Sequence, residues 1–358
     1  MMKPVKIAIL SCNHGHAKSY FGLQNDPFFD LVAVSVQPGY RDKAALERLS
    51  DRIPRYDSDE ELYANHPDLE AVIVASANDR HLEQMRVAVS KGLHIFSMKI
   101  PSFNLDEYQE MIEITEKAGV VCQVELEMRH HAEIMRAKEI LDSGEIGEPL
   151  SITLTNYSHN PIWWRPWQGS PEESWGKRVF LRDGDPRYRG GALADHPHIF
   201  DVVRLLSGSS FDTVFADVAP NMRDIETEDL VHISGRMKNG IIYSLDPSYA
   251  NLEARVVRQV DWKIYPRIVE VTMNIVGTKG TLISDLYSKG YYYVDPVTNR
   301  YLADSPESIG IWNRRTQEFY ESIRYGKKPS VGLREHYETI TAMIAAYDSI
   351  TSGKVIKM

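Results

Sequence analysis

The chain has 358 residues, 43% of them hydrophobic, and a formal net charge of −9. That length supplies two cores, and the acidic balance disfavours nucleic acid and anionic membrane as partners. Its two cysteines, Cys12 and Cys122, define neither a disulfide framework nor a thiolate zinc site. No stretch reads as a signal peptide or a bilayer span, so a cytoplasmic protein is expected.

Lys6 to Leu10 is a short apolar run, the pattern of a strand buried on both faces. A helical stretch through Tyr20 and Leu23 follows, then a second strand from Leu31 to Val36. Pro38-Gly39 punctuates, and Lys43 to Leu49 reads as helix. Further strands are expected at Ala71–Ala75, Leu93–Ser97 and Val120–Val124, with helices at His81–Ser90 and Leu105–Ala118 between them. Strands alternating with helices imply right-handed crossovers and a doubly wound parallel sheet of Rossmann type.

The texture changes near residue 145, where Gly147-Glu148-Pro149 marks a break. Longer, alternating strands are expected at Leu150–Tyr157, Phe211–Val218, Val231–Met237, Ile241–Tyr249, Val269–Val276 and Thr281–Tyr287. Helical patterns occupy Ile199–Leu206, Trp312–Tyr325 and about Arg334 to Thr351. The fold class expected is therefore α/β: a dinucleotide-binding domain over 1–125, and an α+β domain over 126–358 with a large, mostly antiparallel open sheet.

A sheet of the first kind binds ligands at the carboxyl ends of its strands. The turn after the first strand reads Ser11-Cys12-Asn13-His14-Gly15-His16. A dinucleotide turn reads G-x-G-x-x-G, because glycines let backbone N–H groups approach the pyrophosphate. Here the three glycine positions hold Ser11, Asn13 and His16, and Gly15 is out of phase. Asn13 tolerates left-handed backbone, and His14 and His16 would serve as phosphate or substrate donors. The His-x-His spacing also suits a metal, but the second half of the chain lacks the alternation of a metal-dependent barrel, and no metal is expected. The acid that normally holds the adenosine ribose is missing: Ser35, Val36 and Gln37 stand there. Arg41 then either meets a 2′-phosphate, favouring NADP, or is a solvated surface residue.

Gly190-Gly191-Ala192-Leu193-Ala194-Asp195-His196-Pro197-His198 places an acid and two imidazoles just ahead of a helix. Such a group takes and returns protons near neutral pH; it equally suits a capped helix start. Trp163, Trp164, Trp167 and Trp175 cluster with His159, Asn160 and Arg165. That patch suits sugar rings and hydroxyls as well as it suits a buried anchor or subunit contact. The stretch Lys177 to Arg189 reads as a lid or substrate loop.

These residues resemble the glucose-fructose oxidoreductase / inositol dehydrogenase (Gfo/Idh/MocA) family over most of the chain. Asn78-Asp79-Arg80-His81 is similar to the family's T-x-N-x-x-H turn, and Ser97-Met98-Lys99-Ile100-Pro101 to its E-K-P motif. Arg129, Lys138 and Ser143 to Pro149 match the crossover, and Trp164-Arg165-Pro166 the W-R-P segment. Gly190 to Arg204 resembles G-G-x-L-x-D-x-G-x-H-x-x-D-x-x-R. Ile275 to Leu282 and Gly326 to Pro329 match the C-terminal signatures.

The resemblance implies an NAD- or NADP-dependent oxidoreductase moving hydride to or from a hydroxyl-bearing carbon of a sugar, cyclitol or sugar acid. Lys99, Asp195 and His198 would be catalytic. Ser11, Asn13, His14, Gly15, His16, Arg41, Ser76, Asn78, His81 and Lys99 would hold the dinucleotide. Arg129, His159, Trp164, Arg165 and His196 would meet a carbohydrate or polyol substrate, and a homodimer or homotetramer is implied. The departures are Met98 for the motif glutamate, Ile100 for the proline, and one residue fewer between Asp195 and His198. If His198 is fixed by Asp201 and Arg204, His196 is the alternative working base. Transient redox in a lyase or glycoside-cleaving enzyme, and a non-catalytic dinucleotide or sugar sensor, are the alternative readings.

Overall fold

A computed structural model describes residues 3–12, 16–36, 46–76, 78–158, 191–221, 227–250, 269–286, 290–294 and 311–358. They fall into two compact units: the described residues of 3–125 with 312–337, and those of 126–158, 191–311 and 338–358.

The first unit carries strands β1 (Val5–Leu10), β2 (Phe29–Ser35), β3 (Arg55–Tyr56), β4 (Ala71–Val74), β5 (His94–Ser97) and β6 (Cys122–Val124). They pair in parallel in the order β3-β2-β1-β4-β5-β6, the dinucleotide-binding order. β1 is central, and Val5, Ile7, Ala8, Ile9 and Leu10 are each at most 1% exposed, so both faces of the strand are covered. Around this sheet lie a 3-10 helix (Ala17–Asn25), α1 (Asp59–Asn65), α2 (His81–Ser90) and α3 (Leu105–Ala118). α3 shows why the boundaries were readable. Asn104 accepts from the N–H groups of Asp106 and Glu107, Gly119 closes the other end at φ 67°, and Tyr108, Met111, Ile112 and Thr115 form its buried stripe. A late segment completes this core: the Phe319 ring stacks on Phe29 at 6.3 Å and meets Phe96 edge-on at 5.4 Å.

The second unit is built on β7 (Pro149–Ser158), β8 (Phe211–Val218), β9 (Val231–Met237), β10 (Ile242–Ser248), β11 (Val269–Gly277), β12 (Thr281–Asp285), β13 (Gly290–Val294) and β14 (Ile356–Lys357). The order is β13-β12-β11-β7-β10-β9-β8-β14, and every pairing is antiparallel except β7 with β10. One face buries Ile152, Leu154, Tyr243, Leu245, Met273 and Ile275. α4 (Ala132–Ser143), α5 (Ala192–Asp195) and α6 (Pro197–Ser207) belong to this unit. α6 packs against β7 and β10, starts on a proline, ends at Gly208 with φ 61°, and buries even Asp201 and Arg204. Of the late helices, α7 (Ile311–Tyr325) serves the first unit, and α8 (Leu333–Ser352) runs from the first into the second.

Two signature segments turn out to be a joint of the fold. Glu148 N–H donates to Thr278 Oγ1 at 3.0 Å, Thr278 N–H to the Glu148 carbonyl at 3.0 Å, and Lys279 N–H to the Ile146 carbonyl at 2.9 Å. The Gly-Glu-Ile-Gly-Glu-Pro and Gly-Thr-Lys-Gly segments therefore clasp each other through backbone.

Candidate active site

At the carboxyl ends of β1, β2 and β4, the first unit gathers a chain of polar side chains. Ser11 and Cys12 hold left-handed backbone at φ 66° and 36°, the conformation glycine ordinarily supplies in a phosphate turn. Ser11 N–H donates to Ser35 Oγ at 2.7 Å, and the Ser35 hydroxyl donates to Asp59. Gln84 Nε2 donates to Ser11 Oγ at 2.9 Å and to Asp59 Oδ2 at 2.5 Å, while Ser76 Oγ donates to Gln84 Oε1 at 2.6 Å. Burial and the nearby Asp59 carboxylate push the Cys12 thiol well above its usual range, so it is inert as a nucleophile.

The loops after β4 and β5 are tied together. Asn78 Nδ2 donates to the Ile100 carbonyl at 2.5 Å, and Asn78 Oδ1 is buried with no hydrogen-bond partner among the described residues. His81 Nδ1 lies 3.1 Å from the Pro101 carbonyl and Nε2 3.2 Å from that of Ser76. Burial drives its pKa down to about 4, so the ring is neutral and clasps the two loops. Lys99 is buried at the end of β5, and the Lys99–Ile100 peptide is cis.

His16 immediately precedes the 3-10 helix, and its Nδ1 lies 3.0 Å from Glu125 Oε2. Glu125, fully buried just after β6, also accepts from Tyr20 OH at 3.0 Å and from Arg315 Nη1 at 2.6 Å. Arg315 lies over the Tyr20 ring at 4.4 Å. The buried carboxylate is thereby paired and hydrogen-bonded, the condition for holding charge in a core.

The second unit holds the histidines of the helix start. His198 Nε2 is 3.3 Å from Glu127 Oε1. Arg129 clamps Asp201 through two parallel bonds, the Nη2 one 2.6 Å, and this pair seats α6 on the 3-10 helix Glu127–His130. The fixing partner of His198 is thus Glu127, while Asp201 holds Arg129. His196 Nδ1 must donate to the Ala192 carbonyl at 2.6 Å, and its Nε2 lies 2.9 Å from the Ser158 hydroxyl. Asp195 Oδ2 accepts from Tyr249 OH at 3.3 Å. Burial and the Asp195 and Glu228 carboxylates push the Tyr249 phenol well up, so it stays a donor. Asn156 Oδ1, on the same face of β7 as Ser158, is buried without a partner among the described residues.

Of the residues singled out from sequence, Ser11, His16, Ser76, Asn78, His81 and Lys99 lie in the first unit, and Arg129, Asp195, His196 and His198 in the second. Asn13, His14, Gly15, Arg41, His159, Trp164 and Arg165 lie outside the described residues, as do the remaining tryptophans of the patch and the Lys177 to Arg189 loop. Asp59, Gln84, Glu125, Arg315, Glu127 and Tyr249 were not foreseen. Apart from the Ser76–Gln84 bond, their side-chain contacts join residues 24 or more apart in sequence, beyond the reach of any local pattern.

The family model described as oxidoreductase family, NAD-binding Rossmann fold, matches residues 6–126, and that of the GFO/IDH/MocA C-terminal domain matches 134–283. The chain belongs to the GFO/IDH/MocA family. It is 28% identical over 270 residues to the oxidoreductase YrbE of Bacillus subtilis, covering 72% of this chain and 67% of that one. It is 23% identical over 315 residues to myo-inositol 2-dehydrogenase of Thermotoga maritima, covering 82% and 80%. Among solved structures, an oxidoreductase from Agrobacterium radiobacter in complex with NAD+, L-tartaric acid and magnesium superposes with a TM-score of 0.76 at 20% identity, covering 99% of this chain and 98% of that one. The described residues fit the dinucleotide. The left-handed turn at Ser11 and Cys12 keeps the phosphate-turn backbone without glycine, and the orphaned Asn78 Oδ1 is an acceptor for a ligand donor.

Proposed function

We propose that this protein oxidises or reduces a hydroxyl-bearing carbon of a sugar, cyclitol or sugar-derived acid, with NAD(P) as hydride carrier. When bound, the nicotinamide supplies or accepts the hydride; the chain's own residues must handle the hydroxyl proton. His198 is the base and acid for that proton, and Glu127 orients its ring. Asp195, held by Tyr249, supports it. Lys99, buried after β5, is the proposed hydroxyl partner of the first unit. Asn78, Ser11 and Ser76 hold the dinucleotide, and His81 keeps their loops in place.

The observation that carries this reading is the carboxylate-backed His198 at 4% exposure, on the helix that the family signature marks. The polyol class is supported by the relative from Thermotoga maritima, which acts on myo-inositol. A second copy of the chain is the proposed partner, through the outer face of the eight-stranded sheet. A cytoplasmic setting suits two buried free thiols; among the described residues no helix is long and apolar enough to cross a membrane.

The test is turnover of a panel of polyols, aldoses and keto-sugars by the full chain with NAD+ and NADP+ and their reduced forms, alongside His198→Ala. Turnover abolished in the variant with dinucleotide binding intact supports the reading. Dinucleotide binding with no turnover of any panel member by the wild-type protein points instead to a sensor.

A further inference from the structure

The missing acid of β2 has a structural replacement. In sheets of this order the adenosine ribose lies over the end of β2, where a carboxylate accepts its two hydroxyls. Here that strand ends in Ser35, and Val36 and Gln37 follow. The chain comes back to the same strand end through β3: Tyr56 pairs with Ser35, and Val36 N–H donates to the Tyr56 carbonyl at 2.9 Å. Three residues after Tyr56, Asp59 opens α1 behind its cap Ser58, and its carboxylate is hydrogen-bonded to the Ser35 hydroxyl. A negative charge therefore stands at the end of β2 after all, brought there by another element.

Its setting is that of a ligand acceptor held in position. The donors reaching Asp59 are the Ser35 hydroxyl on Oδ1, Gln84 Nε2 on Oδ2 at 2.5 Å, and a long contact from the Ser11 hydroxyl at 3.4 and 3.5 Å. A carboxylate offers about four acceptor positions; Ser35 and Gln84 take two, and two remain for ribose hydroxyls once the long Ser11 contact gives way. Among the described residues, none of these donors is a cation. Ser11, one of the donors, belongs to the left-handed turn of the dinucleotide site.

We propose that Asp59 selects the dinucleotide: it accepts the adenosine ribose diol in place of the absent β2 acid and repels a 2′-phosphate, so that the protein uses NAD in preference to NADP. The inference rests on the oxidoreductase reading and adds to it the identity of the cofactor and the residue that chooses it. A 2′-phosphate brought beside Asp59 would lose the diol bond and meet a like charge, with no cation among the carboxylate's described partners.

The experiment is titration of the full-length protein with NADH and NADPH by nicotinamide fluorescence, for the wild type and for Asp59→Asn. Asparagine keeps the shape and removes the charge. The wild type is expected to bind NADH at least tenfold more tightly than NADPH. In Asp59→Asn the NADH Kd rises several-fold and the NADPH Kd falls, so the ratio shrinks about tenfold. A wild-type preference for NADPH, or a ratio unchanged in a variant with wild-type circular dichroism, overturns the proposal. A second measurement needs no variant: AMP and adenosine 2′,5′-bisphosphate compete against bound NADH. AMP winning supports Asp59 in this role; equal or better competition by the bisphosphate rejects it. If the wild-type protein binds neither reduced dinucleotide, the oxidoreductase reading falls and takes this one with it, an outcome distinct from a lost preference.

Discussion

At the scale of single residues, the proton-handling group is argued from two side chains brought together across the fold. Removing the imidazole in His198→Ala is expected to lower kcat/KM by about 10²- to 10⁴-fold, the usual worth of a positioned acid–base group, with the NADH Kd unchanged. Glu127→Gln keeps the ring in place but withdraws the charge behind it; kcat is expected to fall by about tenfold with a displaced pH profile and little change in KM. Gly191 supports the same helix start for a steric reason. Its φ is 102°, and a Cβ there would lie 2.6 Å from Glu228 Oε1, whose carboxylate accepts from Leu193 N–H. Gly191→Ala is therefore expected to cost about 1–3 kcal/mol, read as a lowered melting temperature. His198, Asp195, Asn78 and Lys99 were singled out because each stands in a short segment that resembles the family's. Glu127 was not: it pairs with His198 across 71 positions, and no spacing rule reaches that far. Asp59 was hidden for a similar reason, since its first-turn position after Ser58 looks like ordinary helix chemistry until β3 places it against β2.

At the scale of elements, the sequence spoke most clearly where burial has one period. The buried run of β1 and the capped stripe of α3 fall where periodicity placed them. The parallel pairing of β7 with β10 and the edge strands β3 and β14 were not readable, because partner choice among strands of like pattern is a tertiary matter. α4 was missed, as its pattern was absorbed into the crossover signature. The clasp between the β4 and β5 loops makes a prediction about pH. His81 titrates near 4 when folded and near 6.5 when unfolded, so between those values the unfolded chain binds a proton that the folded one refuses. Its contribution is complete above about pH 6.5 and is lost as pH falls toward 4. His94 adds in the same direction, because burial lowers its pKa while Nδ1 accepts from Val121 N–H at 3.0 Å. Denaturant unfolding at pH 7 and pH 5 should show wild type losing about 2 kcal/mol more than His81→Gln over that step. Equal losses would mean that the imidazole is already charged in the fold. The pair that seats α6 is expected to behave differently. Arg129→Ala strands the buried Asp201 carboxylate and should cost about 3–5 kcal/mol, whereas Arg129→Met with Asp201→Leu should recover most of it.

At the scale of the whole molecule, one face of the eight-stranded sheet is covered by no described helix. Register fixes which side chains share it. Ser151 is paired with Ile242 on one side and Val276 on the other, and Asn274 with Thr153 and Ile283, so all six point the same way. The helix-covered face carries Ile152, Leu154, Tyr243 and Leu245, all at most 1% exposed, whereas Ile242 is 50%, Ile283 44% and Val276 38% exposed. The face is mixed: Thr155 and Thr272 share a 2.6 Å hydroxyl contact and Tyr157 OH donates to Asp246 at 2.9 Å between these apolar side chains. Such a broad, flat surface of interleaved apolar and hydroxyl groups suits a two-fold contact with its own copy, in which the same patch is used on both sides. Sedimentation at micromolar concentration is expected to give a dimer or tetramer. Placing a carboxylate at two of the exposed apolar positions, Ile242→Glu with Ile283→Glu, would set like charges against each other across that contact and release monomers. Because neither position touches the helix-covered core, the variant should keep its circular dichroism and its affinity for dinucleotide. A wild-type chain that sediments as a monomer, or a doubly substituted one that stays assembled, would move the contact elsewhere.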